Sequence, residues 1–178
     1  MNKITGPQRV YLSIGSNIDR DEHVAGALDA LAKDFGELII SRVFESESIG
    51  FSGENFYNLV VGIDTELAVA QLALIMRAIE QDNGRRRNGV KFGPRTLDID
   101  ILTYGQSAGI IDEVVLPRDE ILKNAFVLIP LADIAGQEFH PVNRQTYCDL
   151  AAGMNTDEQK LWPVDFVWQG RQLSAGFD

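Results

Sequence analysis

Residues 85–95 hold Arg85, Arg86, Arg87, Lys91 and Arg95, five of the chain's 16 lysines and arginines, and run almost directly into Asp98-Ile99-Asp100. Arginine presents a planar fork of donors that suits phosphate oxygens. Carboxylates are hard ligands for divalent cations. Side chains alternate along a strand, so Asp98 and Asp100 would share one face while Leu97, Ile99 and Ile101 turn into the core. Two carboxylates one strand repeat apart can bridge a pair of cations about 3.5–4 Å from each other. A solvated basic loop would explain the arginines, and a solvated strand edge would explain the aspartates. A basic loop feeding an acidic pair fits phosphate transfer better, with metal holding a polyphosphate and arginine neutralising developing charge. No histidine lies near this segment to act as a general base, so positioning and charge must do the catalytic work.

The rest of the chain must position those groups. It has 178 residues, 45% hydrophobic and 24% charged, which suits one globular domain over residues 1–178. The net charge of −10 argues against nucleic acid and against anionic membranes as partners. No apolar run approaches the ~20 residues of a membrane span, and the N-terminus lacks the apolar core of a signal peptide. Cys148, the one cysteine, cannot form an internal disulfide, so a reducing cytoplasm is expected.

Hydrophobic periodicity predicts a strand over 8–14, closed by a Gly15-Ser16-Asn17 turn, and a helix from about Asp19 to Phe35 carrying Val24, Leu28 and Leu31. A second strand is expected over 38–44, a loop over 46–55, and a third strand over 56–65. The helix over 66–82 has Leu72, Ile75, Met76 and Ile79 on its core face, and a fourth strand follows over 96–103. This order predicts an α+β fold with a ferredoxin-like βαββαβ core, both helices on one face of the sheet. A loop and short helix fill 117–135. The core thus covers about 8–135 and a weakly patterned C-terminal extension covers 136–178, with a possible hairpin through Gln169-Gly170. His23 is expected at the surface, Cys148 in the core, and His140 in a structural turn. Trp162 and Trp168 would anchor the extension.

Gly84-Arg85-x-Arg87 followed by Phe92-Gly93-Pro94-Arg95-Thr96-Leu97-Asp98-Ile99-Asp100-Ile101-Leu102 resembles the signature of the 6-hydroxymethyl-7,8-dihydropterin pyrophosphokinases. The likeness extends through residues 11–17, Phe56-Tyr57-Asn58, Ile79-Glu80 and residues 126–131. It implies transfer of diphosphate from ATP to the hydroxymethyl oxygen of the pterin, releasing AMP, in folate biosynthesis. It further implies that Asp98 and Asp100 hold two Mg2+ ions, with Asp98 also reaching the substrate hydroxyl. Arg85 and Arg95 would stabilise the transferring diphosphate. Phe56 and Phe126 would sandwich the pterin ring, Asn58 would read its amide edge, and Ser46, Ile49 and Gly50 would complete that pocket. ATP would be held by Glu80, Arg85, Arg87, Lys91, Phe92, Arg95, Ile101, Arg118 and Lys123. The resemblance implies small-molecule partners only, and a monomer.

The chain departs from the family pattern mainly on the nucleotide side. Pro117-Arg118 stands where Pro-His is usual, Asn124 where an arginine is usual, and Glu113 where a basic residue is common. Phe92 replaces a typical tryptophan, Lys91 replaces an arginine, and Glu47-Ser48 replaces two prolines. Weak ATP binding with normal pterin recognition is the expectation. Two other readings compete: a paralogue that binds pterin or nucleotide without transferring phosphate, and an RNA-binding module of the same fold. The second lacks paired aromatics at the required strand spacing. A nucleotidyltransferase would need Gly15-Ser16 much nearer the Asp-x-Asp pair.

Overall fold

The computed structural model describes residues 6–47, 54–84 and 96–176. The first strand, β1 (Gln8–Ser16), buries Val10, Leu12 and Ile14 on one face. Helix α1 (Arg20–Phe35) packs Val24, Ala27, Leu28 and Leu31 onto that face. Two short strands, β2 (Ile39–Ile40) and β3 (Phe44–Ser46), occupy the region expected as one strand over 38–44. The ladder breaks at Ser41, whose Oγ accepts the Val60 N–H at 2.9 Å, in place of a backbone carbonyl. Next come β4 (Phe56–Thr65), α2 (Val69–Asp82) and β5 (Asp98–Tyr104).

These strands form one antiparallel sheet in the order β5-β1-β4-β3, with β2 also on β4, and a late strand, β8 (Leu161–Pro163), added beyond β3. Helices α1 and α2 cover one face, with Leu72, Met76 and Ile79 of α2 in the same cluster as the α1 residues. Close approach of the two helices depends on Gly26: a Cβ there would lie 2.8 Å from Asn83 Oδ1. His23 is accordingly half-buried, with Nδ1 3.0 Å from Asn83 Oδ1, and so joins α1 to the end of α2 rather than standing at the surface.

The opposite face carries Tyr11, Val60 and Leu102. It is covered by α3 (Glu120–Lys123), α4 (Ala125–Ala135) and α5 (Tyr147–Gly153), through Ile121, Val127, Leu128, Leu131 and Tyr147. Before them, β6 (Gly109–Ile111) and β7 (Val114–Leu116) form a hairpin that turns on Asp112 and Glu113, both at positive φ. No Asn-Gly or Gly-Gly signal marks that turn in the sequence. The hairpin of β9 (Phe166–Trp168) and β10 (Arg171–Ser174) does turn through Gln169-Gly170, as expected.

Cys148 is exposed, contrary to expectation, because the one-sided α5 spends its buried positions on Tyr147 and, partly, Leu150 and Ala151. His140 is buried, and its Nδ1 accepts from the backbone N–H groups of Val142 and Asn143, a turn-holding arrangement. Trp162 donates to Glu45 and Trp168 to Asp29, so both indoles tie the extension to the rest of the chain. Among the described residues no helix is long and apolar enough to cross a membrane.

Candidate functional site

The register of the sheet lines up the sequence motifs. Gly15 of β1 pairs with Asp98 of β5 on one side and with Asn58 of β4 on the other, and Asn58 pairs in turn with Phe44 of β3. Directly opposed residues share a face. Asp98, Gly15, Asn58 and Phe44 therefore form one row on the side that α3 to α5 cover. Asp100 lies on the next row, opposite Ser13, and Phe56 opposes Ser46. Gly15 and Ser16 are strand residues here, not the expected turn.

Gly15 leaves a hollow in the row. A methyl there would meet Asn58 Oδ1 at 3.8 Å and the Phe56 ring at 3.9 Å, ordinary contact distances. Asn58 itself is buried in a central strand, and its Nδ2 donates to Ser46 Oγ at 2.8 Å and to the Phe56 carbonyl at 3.4 Å. Those bonds fix which way the amide faces. Phe126 stands one residue inside α4 and lines a cavity of about 250 Å³ together with Ser46, Glu47 and residues 158–161. A larger hollow of about 550 Å³ lies between Gln106, Gln137, Glu138, Phe139 and Arg144 and includes none of the motif residues.

On β5, Leu97, Ile99 and Ile101 are buried in the cluster under α1 and α2, which turns Asp98 and Asp100 the other way. Ile101 thus has its side chain in the core. Burial pushes the Asp100 carboxyl up to about 7, and the Asp98 charge beside it acts in the same direction. Arg118 opposes this shift. Its Nη2 lies 3.4 Å from Asp100 Oδ1, and its Nε lies 3.0 Å from Glu120 Oε2. Lys123 is exposed and paired with Asp119 four residues earlier.

Glu80 is buried on α2, and its Oε2 accepts the Ile99 N–H at 3.0 Å, between the two aspartates. Ser16 Oγ donates to the Thr96 carbonyl at 2.5 Å, and Asn17 Nδ2 reaches the Glu54 carbonyl at 3.4 Å. The Gly15-Ser16-Asn17 segment therefore holds the starts of β5 and β4. Two polar side chains, Ser16 and Asn17, buried directly after an apolar strand are a usable sign of this role, whereas Gln159 carries no local sign. Of the expected site residues, Ile49, Gly50, Arg85, Arg87, Lys91, Phe92 and Arg95 lie outside the described residues, as do Arg86 and Ser48.

The 7,8-dihydro-6-hydroxymethylpterin-pyrophosphokinase family model matches residues 11–136. A 2-amino-4-hydroxy-6-hydroxymethyldihydropteridine pyrophosphokinase of Pseudomonas aeruginosa is 37% identical over 132 residues, 72% of this chain and 81% of that protein. The Methylorubrum extorquens protein of the same name is 40% identical over 132 residues, 71% of this chain and 82% of its own length. The folate synthesis bifunctional protein of Arabidopsis thaliana is 35% identical over 135 residues, but the match spans only 28% of it. Among solved structures, Plasmodium falciparum HPPK-DHPS with pteroate superposes with a TM-score of 0.71 at 13% identity, covering 97% of this chain and 49% of that one. That likeness speaks to fold alone.

Proposed function

The chain belongs to the 7,8-dihydro-6-hydroxymethylpterin-pyrophosphokinase family, and we propose that its reaction is carried by Asp98, Asp100, Arg85 and Arg95. That reaction is transfer of diphosphate from ATP to the hydroxymethyl oxygen of 6-hydroxymethyl-7,8-dihydropterin, releasing AMP, in folate synthesis. The observation that carries the assignment of residues is the Asp98-Gly15-Asn58 row, with the Phe56 ring overhanging the side-chain-free Gly15.

In this reading the pterin lies flat between Phe56 and Phe126. Asn58, held by Ser46, reads its amide edge, and Ile49 and Gly50 add contacts. The hydroxymethyl group then points along the row to Asp98, which accepts a hydrogen bond from the hydroxyl and aligns its oxygen with the β-phosphorus of ATP. The new O–P bond forms as the hydroxyl releases its proton to solvent and the bond from that phosphorus to the oxygen of the α-phosphate breaks, and AMP leaves. Arg85 and Arg95 neutralise the charge in transit. Glu80, Arg87, Lys91, Phe92, Arg118, Lys123 and the Ile101 backbone make up the rest of the nucleotide side.

The donor set suits magnesium. Asp98 and Asp100 are oxygen ligands whose mutual repulsion a dication relieves. Two Mg2+ ions held there would supply charge neutralisation across the triphosphate.

We read the strand order β5-β1-β4-β3/β2, with α1 and α2 on one face, as a ferredoxin-like core over about 8–135. Residues 136–178 extend the same domain, a reading supported by the pairing of β8 with β3. The single cysteine favours a reducing cytoplasm, and the family likeness supports small-molecule substrates and a monomer.

The test is incubation with ATP, Mg2+ and the hydroxymethyl pterin, following nucleotide products. AMP release that requires both Mg2+ and the pterin is expected, and Asp98→Ala should lower it roughly a thousandfold while leaving the fold intact. ADP as product, or full activity in Asp98→Ala, would overturn the assignment.

A further inference from the structure

We infer that Gln159 is a positioning residue for the pterin: its side-chain amide fixes the start of α4, and with it the plane that Phe126 offers to the ring. The inference rests on the pterin reading above and adds a segment, residues 155–163, that lies beyond the family match ending at residue 136.

The first N–H groups of a helix have no partner within it. At the start of α4, Asn124 is the cap residue and makes no side-chain cap bond. The Ala125 N–H is instead accepted by Gln159 Oε1 at 2.8 Å, from 34 residues away. The other end of the same amide, Nε2, donates to the Lys123 carbonyl at 3.0 Å. One side chain thus clasps both sides of the single-residue joint between α3 and α4, and Phe126 is the next residue along.

The segment that presents Gln159 is itself held. Asn155 Oδ1 accepts the Asp157 N–H at 3.0 Å, and the Gln159 N–H returns to the Thr156 carbonyl at 3.0 Å. Two residues on, β8 ladders onto β3, with Leu161 opposite Ser46, and Trp162 Nε1 donates to Glu45 Oε2 at 3.2 Å. Ser46 orients Asn58, and Ser46 and Phe126 both line the 250 Å³ cavity that Gln159 and Leu161 also line. The segment therefore ties the wall that reads the ring edge to the wall that covers its face, and sets their spacing.

Gln159→Leu leaves an apolar side chain one atom shorter and removes both bonds. Pterin affinity, measured by calorimetry, and the pterin KM should weaken about tenfold, while kcat and the ATP KM stay within about twofold. Gln159→Glu keeps the acceptor for Ala125 N–H but sets a carboxylate oxygen against the Lys123 carbonyl, and should recover part of the affinity. Thermal denaturation checks folding, and if the leucine variant does not fold, the glutamate variant and Gln159→Ala decide. Unchanged pterin affinity in the leucine variant, or an equal loss for ATP and pterin, would overturn the inference while leaving the pyrophosphokinase reading intact. Wild-type protein that binds no pterin at all would overturn both.

Discussion

The guanidinium of Arg118 lies 3.4 Å from the carboxylate of Asp100, so the residue in place of the family's usual histidine is already turned toward the acidic pair. Its backbone helps hold it there, because the Arg118 N–H donates to the Leu102 carbonyl at 2.8 Å, on the same strand as Asp100. On the proposed reading, a cation so placed would meet incoming triphosphate. Arg118→Gln should raise the ATP KM about tenfold, the loss expected for one charge-assisted contact, and leave pterin affinity unchanged. Calorimetry with a non-hydrolysable ATP analogue, and separately with pterin, makes the comparison.

Asp100 gives the apo protein a pH dependence. Its carboxyl titrates near 7 in the fold and near 3.8 when unfolded, because burial and the Asp98 charge disfavour ionisation. A raised pKa favours the protonated form, so the native state holds this proton between those values and the unfolded state does not. The stability it contributes is full below about 3.8 and is lost as pH rises through about 7. Asp100→Asn, which cannot ionise, should raise Tm by several degrees at pH 8 without metal, and the gain should vanish toward pH 4. A gain that is the same at both pH values would refute this account of the carboxyl.

Glu80 is placed to act through the backbone. Its carboxylate takes the Ile99 N–H on β5, the end strand of the sheet, and so steadies the residue between the two aspartates. Glu80→Ala should cost about 1–3 kcal/mol of stability and lower kcat, and Glu80→Gln, still an acceptor, should restore most of both. Denaturant unfolding and steady-state kinetics on the pair provide the check. Failure of glutamine to rescue would mean that the charge matters, as direct contact with nucleotide requires.

Asn124 is free to change, since its side chain caps nothing at the start of α4. Asn124→Arg restores the residue usual in the family beside a nucleotide side whose nearby Lys123 is engaged with Asp119. ATP binding should tighten several-fold, about the gain of one charge-assisted bond, with Tm and pterin affinity unaltered. Equal ATP affinity in the two proteins would remove this position from the nucleotide side.

How much of this was legible in the sequence depended on how local the cause was. Alternation in Leu97-Asp98-Ile99-Asp100-Ile101 is a strand property, and the faces came out as expected. Helical spacing in α1 and α2 was equally plain. The break at Ser41 was hidden because it depends on one hydroxyl meeting the backbone of a strand some twenty residues away. The β6–β7 turn was hidden because Asp112 and Glu113 adopt positive φ without a glycine to announce it. The row through Gly15 needed the register of three strands, and the clasp of Gln159 spans 34 residues. Neither leaves a pattern in a short window.

The pairing of β8 with β3 also has a kinetic consequence. Trp162 and Glu45, which meet where those strands join, are 117 residues apart in the chain. Closing so long a loop costs chain entropy before any contact rewards it, and non-local pairings form late in folding. During refolding the sheet of β1, β4 and β5 should therefore acquire amide protection before the β3–β8 ladder does. A chain caught at that stage would already carry its aspartates in register but would lack a closed wall for the ring, so substrate affinity would be the last property to return.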